Sequence, residues 1–334
     1  MTRISIRRLL PTLALFAAAL ASAPASAGPY STLVVFGDSL SDNGNNAAAG
    51  LFDPGQVVSG NTYIPSKTYF SGVYSNGPVW ASDFAAMIGL PLVPSLGGGT
   101  DFAFGGATTG APGAGPGGFP FSLIVQSGQY LAATSNHASP TGLYVIAGGG
   151  NDARAALDLI QGGADIPATI QATAMSFAAN VGTIVDALQA AGAQHIVVWD
   201  APNLGLTPAA VASGGAGLAT FLSSSMNTAL AARLAGEAGV TTFDLFGLGT
   251  QIAANPALFG LTNVGDACGA VAGANCNQYA YWDGIHPTAA THRLFADAML
   301  VVAVPEPGTW LLLVGGLAVL GAMSRRRAKA GLPA

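Results

Sequence analysis

Four short, largely apolar segments constrain the fold of this 334-residue chain more than any other feature of its sequence. They cover residues 33–36, 143–147, 195–199 and 240–245. A strand that is covered on both faces is apolar at successive positions rather than at alternate ones. The four segments therefore predict parallel strands buried beneath other elements.

The stretches between these strands have the periodicity of helices. In the clearest case, five apolar residues lie on one helical face: Phe177, Val181, Ile184, Val185 and Leu188. Gly192 is expected to end that helix, and residues 214–238 and 287–302 also predict helices. Alternating strands and helices predict an open parallel sheet with helices on both faces. Residues 96–118, rich in Gly and Pro, are predicted to be irregular.

Polar loops follow three of the predicted strands. They comprise residues 37–42, 148–152 and 200–203, and a further polar loop at 282–287 lies far downstream. In an open parallel sheet, functional groups lie in the loops at the carboxyl ends of the strands. We therefore expect these four loops to form one functional site.

Ser39, Asp283 and His286 have the side chains of a nucleophile and its base. Ser39 follows the first strand and is predicted to open a helix, so that its backbone N–H faces a developing negative charge. A serine hydroxyl needs a base, for which His286 is the candidate. Asp283 lies three residues earlier, close enough to orient the imidazole. The sequence has no G-x-S-x-G turn, so the α/β-hydrolase signature is absent.

These loops also resemble a known family. Residues 35–40 (VFGDSL) resemble the first sequence block of the GDSL, or SGNH, hydrolases, and residues 37–46 (GDSLSDNGNN) resemble their lipase-like branch. Residues 101–107, 149–152 and 283–287 are similar to the second, third and fifth blocks. The resemblance implies a flavodoxin-like, three-layer α/β/α fold. It also implies hydrolysis of carboxylic esters without a metal or cofactor.

The resemblance implies a role for each matching residue. Ser39 would be the nucleophile and the first donor of the oxyanion hole. Gly106 and Asn151 would be the other donors, His286 the base, and Asp283 the residue that orients it.

The second block, residues 101–107, leaves the choice of glycine donor open and departs from the family pattern at one position. The glycine doublet leaves Gly105 as an alternative to Gly106, although the spacing of the block favours Gly106. Asp101 stands where members of the family often have Asn, a change with little expected effect on the mechanism.

Each candidate residue also has an ordinary structural interpretation. Ser39 and Asn151 are residue types that cap helices, Gly106 suits a turn, and His286 could lie in a surface loop. The catalytic interpretation depends on all of them occurring together. The remaining titratable candidates are interpreted as structural: Asp38, Asp42, His137, His195 and His292.

Both ends of the chain are predicted to be targeting segments. Residues 1–27 combine three arginines, an apolar run and Ala25-Ser26-Ala27, as in a secretory signal peptide with its cleavage site. Residues 305–334 combine Pro-Glu-Pro, an apolar run at 310–323 and three arginines, and resemble a PEP-CTERM sorting signal. That resemblance implies a short transmembrane helix, a transient inner-membrane anchor and cleavage by an exosortase. A permanent tail anchor is the alternative.

The predicted domain, residues 28–304, is acidic and contains both cysteines. It has four basic and fifteen acidic residues, a formal charge of −11, which argues against a nucleic-acid partner. Export would place Cys268 and Cys276 in an oxidising compartment, where we expect a disulfide. Two cysteines without clustered histidines provide too few ligands for a metal.

The sequence therefore predicts an exported serine ester hydrolase that reaches the cell surface or extracellular matrix. Its substrate would be an ester of a lipid or an acetylated saccharide. An acyltransferase acting on a lipid or sugar hydroxyl and a non-catalytic surface or matrix protein are the alternatives.

Overall fold

The computed structural model describes residues 30–50, 69, 70 and 72–304. The predicted signal peptide at 1–27 and the predicted sorting signal at 305–334 lie outside these residues. No helix within the described ranges is long and apolar enough to cross a membrane. The predicted transmembrane segment at 310–323 lies beyond those ranges and stays a prediction.

Four parallel strands form the main sheet. In spatial order they are β1 (Thr32–Gly37), β2 (Gly142–Ala147), β3 (His195–Trp199) and β4 (Val240–Phe243). Each coincides with one of the predicted apolar segments to within two residues, so that prediction is confirmed. The strand β4 lies at the edge of these four, and two of its four residues are exposed.

Residues 100–104 extend the sheet beyond β1. Val35 N–H donates to Thr100 at 3.1 Å, Phe102 N–H donates to Val35 at 2.8 Å, and Phe104 N–H donates to Gly37 at 3.1 Å. The spatial order, from residues 100–104 through β1 to β4, is that of flavodoxin-like sheets. Residues 96–118 contain no named strand or α-helix, as expected from the sequence, but local sequence does not reveal that residues 100–104 take β1 as their hydrogen-bond partner.

Helices cover both faces of the sheet. The α-helices in the described ranges are α1 (Asn45–Ala48), α2 (Trp80–Met87), α3 (Leu123–Ala133), α4 (Gly150–Gln161), α5 (Ile166–Ala190), α6 (Pro208–Ala212), α7 (Ala216–Leu234), α8 (Leu245–Ala254) and α9 (Ala289–Ala303). Short 3₁₀ helices occupy Ser95–Gly97, Pro116–Gly118, Leu204–Leu206, Pro256–Phe259, Cys268–Ala270 and Cys276–Gln278. The helices predicted around residues 177–188, 214–238 and 287–302 correspond to α5, α7 and α9.

Alternate residues of the strands enter two separate hydrophobic cores. Val34, Phe36 and Ile146 point into a core shared with α3, α4, α5 and α7. Val35, Val145 and Trp199 point into a core shared with α2, α8 and α9. The architecture is therefore the predicted three-layer α/β/α fold.

A small second sheet lies just before the predicted Asp-His loop. Its strands, β5 (Asn263–Ala267) and β6 (Tyr279–Tyr281), are parallel, and the predicted disulfide between Cys268 and Cys276 lies between them in the chain. Gly269 N–H donates to Trp282 O at 2.8 Å, one residue before Asp283. The disulfide segment is thus tied directly to the loop that carries the predicted base.

The chain enters and leaves this domain at neighbouring points. The hydroxyl of Tyr30, which precedes β1, donates to the carbonyl of Ala303 at the end of α9. Both lie at the amino ends of the strands, whereas the predicted site loops follow the carboxyl ends.

Candidate active site

A tight turn presents Ser39 at the carboxyl end of β1. The Asp38 carboxylate accepts from Leu40 N–H at 3.0 Å, and the Asp38 carbonyl accepts from Ser41 N–H at 3.0 Å. The prediction that a helix opens at Ser39 is therefore wrong: only this turn forms, and α1 begins at Asn45. The Asp38 side chain caps this turn as an N-cap residue caps a helix, by accepting from a backbone N–H two residues later.

Ser39, His286 and Asp283 form one hydrogen-bonded chain. His286 Nε2 lies 2.9 Å from Ser39 Oγ, and His286 Nδ1 lies 2.6 Å from Asp283 Oδ2. Ser39 is partly accessible, whereas His286 and Asp283 are buried. The sheet brings together residues that are 247 positions apart in the chain.

Asp283 is held by more than the histidine. Its Oδ1 accepts from the N–H groups of Ile285 and His286 at 2.8 and 2.7 Å, and its Oδ2 accepts from Tyr69 Oη at 2.7 Å. Burial alone would raise the pKa of Asp283, but His286 and these hydrogen bonds outweigh it and lower the pKa. The carboxylate therefore stays charged beside the imidazole.

The second predicted loop supplies a backbone N–H group. Gly106 has φ +86°, is exposed, and its N–H has no hydrogen-bond partner among the described residues. The N–H of Gly105 instead donates to Asp42 Oδ2 at 2.9 Å. Of the two glycines that the sequence left open, Gly106 is the one with a donor available to a ligand.

Asn151 lies in the first turn of α4, which begins at Gly150. Its Nδ2 donates to Ala107 O at 2.9 Å, which leaves the second amide hydrogen available. It does not cap the helix, because Gly149 occupies the cap position without a side-chain hydrogen bond. Ser39 N–H also lacks a partner among the described residues, so the predicted site loops retain three available donors: two backbone groups and one amide hydrogen.

An apolar cleft opens beside Ser39. It encloses about 840 Å³ of empty space, part of which is open to solvent. Ser39, Asn151 and His286 line one end, and Leu245, Gly249, Ile252, Val264 and Phe295 are among the residues that line the rest.

The other histidines and the disulfide lie outside this arrangement. His292 is buried and accepts from Trp80 N–H, and burial lowers its pKa to about 3. His137 is exposed, and His195 is the exposed first residue of β3. Within the described ranges, no three His, Cys, Asp or Glu side chains cluster as metal ligands do.

Several residues that hold the site are not predicted by the sequence. Tyr69 lies 214 positions from Asp283, and nothing in the local sequence connects them. Asn46 lies within the GDSLSDNGNN run, so the motif itself was the available signal. Asp42, in the same run and predicted to be structural, accepts from Gly105 N–H. Tyr74 packs its ring 5.3 Å from that of His286, and only the folded chain reveals the contact.

Comparisons with known proteins agree with the motifs. Residues 33–299 match the family model described as GDSL-like Lipase/Acylhydrolase, and residues 303–327 match the PEP-CTERM protein-sorting motif. The latter motif indicates export and sorting to the cell envelope.

The chain is also similar to curated bacterial proteins. It is 36% identical over 188 residues to Lipase 1 of Photorhabdus luminescens, covering 56% of this chain and 24% of the relative. It is 32% identical over 366 residues to Esterase EstA of Pseudomonas aeruginosa, covering 89% of this chain and 50% of the relative. The chain therefore spans about half the length, or less, of these relatives.

Among solved structures, the chain resembles Est24, a carbohydrate acetylesterase from Sinorhizobium meliloti. The identity is 17% and the TM-score 0.45, over 80% of this chain and 95% of the other.

Asp38 provides a test of the electrostatics at the site. Burial is the main cause that raises its pKa to about 6 from 3.8, although the Leu40 N–H and His286 partly oppose it. The folded state therefore holds this proton more tightly than the unfolded state, and stability is lost as the pH rises from about 4 to about 6. Over this interval, the free energy of unfolding of Asp38→Asn should fall by about 2–3 kcal/mol less than that of the wild type. Urea unfolding of both proteins at pH 4 and pH 7 measures the difference.

Asp158→Asn, at an exposed position of α4, controls for the loss of one negative charge. An equal pH effect on Asp38→Asn and on the wild type would contradict the prediction.

Proposed function

Because the chain belongs to the family of GDSL-like lipases and acylhydrolases, we propose that it is a serine hydrolase of carboxylic esters. The observation that carries this proposal is the chain of short contacts from Ser39 Oγ through His286 to Asp283. Such a chain supplies a base for the hydroxyl and a fixed charge for the base.

The reaction begins when Ser39 Oγ attacks the carbonyl carbon of the ester. His286 Nε2 accepts the hydroxyl proton, and Asp283 stabilises the imidazolium that forms. The carbonyl oxygen becomes an oxyanion and accepts hydrogen bonds from the backbone of Ser39 and Gly106 and from the amide of Asn151.

Collapse of this intermediate breaks the ester C–O bond. The alcohol leaves with the proton from His286, and the acyl group stays on Ser39. Water then attacks the acyl-enzyme as His286 accepts its proton, which releases the acid and regenerates Ser39. All atoms and protons are accounted for by the ester, the water and the three side chains.

The apolar cleft suggests which part of the ester it holds. An acyl chain next to Ser39 would bury its methylene groups against Leu245, Ile252 and Phe295, at about 0.8 kcal/mol for each buried CH₂. We therefore infer that esters of medium acyl chains are better substrates than acetyl esters. Acetylated saccharides then become the less favoured of the two substrate classes.

Substitution of the catalytic groups tests the mechanism. Ser39→Ala should lower kcat by at least about 10³-fold, because only the oxyanion hole and binding remain. Asn151→Ala should lower kcat by about 10²–10³-fold, as expected for one lost oxyanion donor. Turnover of p-nitrophenyl butyrate by purified protein is the measurement.

The matched control is Ser127→Ala, which removes a serine hydroxyl bonded to Ile124 in α3 and should retain activity. Wild-type turnover in Ser39→Ala would refute the assignment of the nucleophile.

Filling the cleft tests the proposed acyl site. A Cβ placed at Gly249 in α8 would have Leu206 as its nearest neighbour, 3.9 Å away, so the first atom of a larger side chain meets no close contact. Gly249→Phe should lower kcat/KM for an octanoyl ester about tenfold relative to an acetyl ester. The p-nitrophenyl ester series from acetyl to decanoyl measures this, with Gln251→Phe, exposed on the same helix, as the control. Equal losses for all chain lengths would place the acyl chain elsewhere.

We also propose that residues 1–27 direct export and are removed, and that the domain 28–304 is released after cleavage near Pro305–Pro307. The three arginines at 325–327 would hold the tail on the cytoplasmic side until an exosortase acts. The intact mass of the protein from its native host should correspond to a chain beginning near Gly28 and ending near residue 305. A mass that retains residues 325–327 would favour a permanent tail anchor and leave the esterase proposal untouched.

A further inference from the structure

The peptide between Gly105 and Gly106 carries the proposed oxyanion donor and is flanked by two glycines. Gly105 is required because a Cβ there would lie 2.2 Å from the ring of Tyr74. Gly106 is suited to its φ of +86°. Since glycine opposes backbone rotation least, this peptide plane has little steric restraint of its own.

One buried side chain restrains that plane. Asn46 Nδ2 donates to Gly105 O at 3.0 Å and to Tyr74 Oη at 2.6 Å, so both amide hydrogens are used. Asn46 is 4% exposed, and its Oδ1 has no hydrogen-bond partner among the described residues. The side chain therefore makes its hydrogen bonds only as a donor.

The direction of the Gly106 N–H follows from this bond. Gly105 C=O and Gly106 N–H belong to the same peptide, which is trans, and in a trans peptide the two groups point in opposite directions. Holding the oxygen towards the interior thus aims the hydrogen in the opposite direction, on the side where Gly106 is exposed. A hydrogen bond on the oxygen also polarises the peptide and makes its N–H a stronger donor.

We propose that Asn46 is a positioning residue that fixes the Gly106 N–H for the oxyanion. The inference rests on the proposed function, because it needs a reaction in which that oxyanion forms. Asn46 touches neither the substrate nor the reacting atoms.

Neighbouring side chains hold other peptides of the same loop. Asp42 accepts from Gly105 N–H, which belongs to the preceding peptide. Asn45 donates to the carbonyls of Asp101 and Ala103. Among the described residues, Asn46 is the side chain bonded to the Gly105–Gly106 peptide.

Two substitutions remove the donor in different ways. Asn46→Ala deletes the side chain, whereas Asn46→Leu keeps its approximate volume and lacks a donor. Each substitution should lower kcat about 10–100-fold, which is no more than the effect of losing a whole oxyanion donor. KM should stay within about threefold of the wild-type value, because ground-state binding does not use the oxyanion. The affinity for butylboronic acid, which forms a tetrahedral adduct with a serine hydroxyl, should fall in parallel with kcat.

Asn43→Ala is the matched control. Asn43 lies in the same run, donates from Nδ2 to a backbone carbonyl, that of Leu92, and also has a buried Oδ1 without a partner among the described residues. It should lose comparable thermal stability yet keep kcat within about threefold. An equal fall of kcat in Asn43→Ala would mean that general loosening, and not the Gly105–Gly106 peptide, is responsible.

A readout without turnover separates this inference from the proposed function. In ¹⁵N-labelled protein, Asn46→Ala should shift the Gly106 amide resonance more than Asn43→Ala does. An unchanged Gly106 resonance, or unchanged kcat and boronate affinity in both Asn46 variants, would overturn the positioning role. Absence of ester turnover in the wild type would instead refute the proposed function, and the amide resonance would still decide the role of Asn46.

Discussion

The parallel register of β1 against β2 decides where the groups of the site lie. Gly37 pairs with Ala147 at the last position of both strands, so the loops that follow leave the sheet side by side. Ser39 and Asn151 lie two and four residues beyond this pair. If one strand shifted its register by one residue, its side chains would move to the opposite core. The two hydrophobic cores that lock the register therefore also fix the distance between the proposed nucleophile and the oxyanion hole.

Side-chain carboxylates that accept from main-chain N–H groups, rather than regular structure, hold the loops of the site. Asp42 and Asp283 each accept from at least two backbone N–H groups, and Asp152 in α4 holds Thr109 through its N–H and hydroxyl. Burial raises the pKa of Asp42 and Asp152, whereas His286 keeps that of Asp283 low. Only 8% of the residues in this chain are charged, and some of its aspartates hold loops in place by hydrogen bonds to the backbone.

Apolar patterning and motif order were sufficient to predict the four strands and the meeting of Ser39, Asp283 and His286. Both depend on information within short stretches of sequence. The pairing of residues 100–104 with β1 and the contact of Tyr69 with Asp283 could not be predicted, because they depend on partners about 65 and 214 positions away. The turn at Ser39 does not continue into α1, because Gly44 with φ +140° lies between them, a backbone conformation that periodicity does not reveal.

The contact between Tyr30 and Ala303 has a consequence for orientation. It places the chain's entry and exit together at the amino edge of the sheet, whereas Ser39 lies at the other end of β1, roughly 20 Å away at about 3.3 Å per residue. A tether attached beyond residue 304 would thus join the domain at the amino edge of the sheet, opposite the end that carries Ser39. The mouth of the cleft would face outward from the tethering surface, so that bulky esters in the surrounding medium could reach it while the domain was still attached.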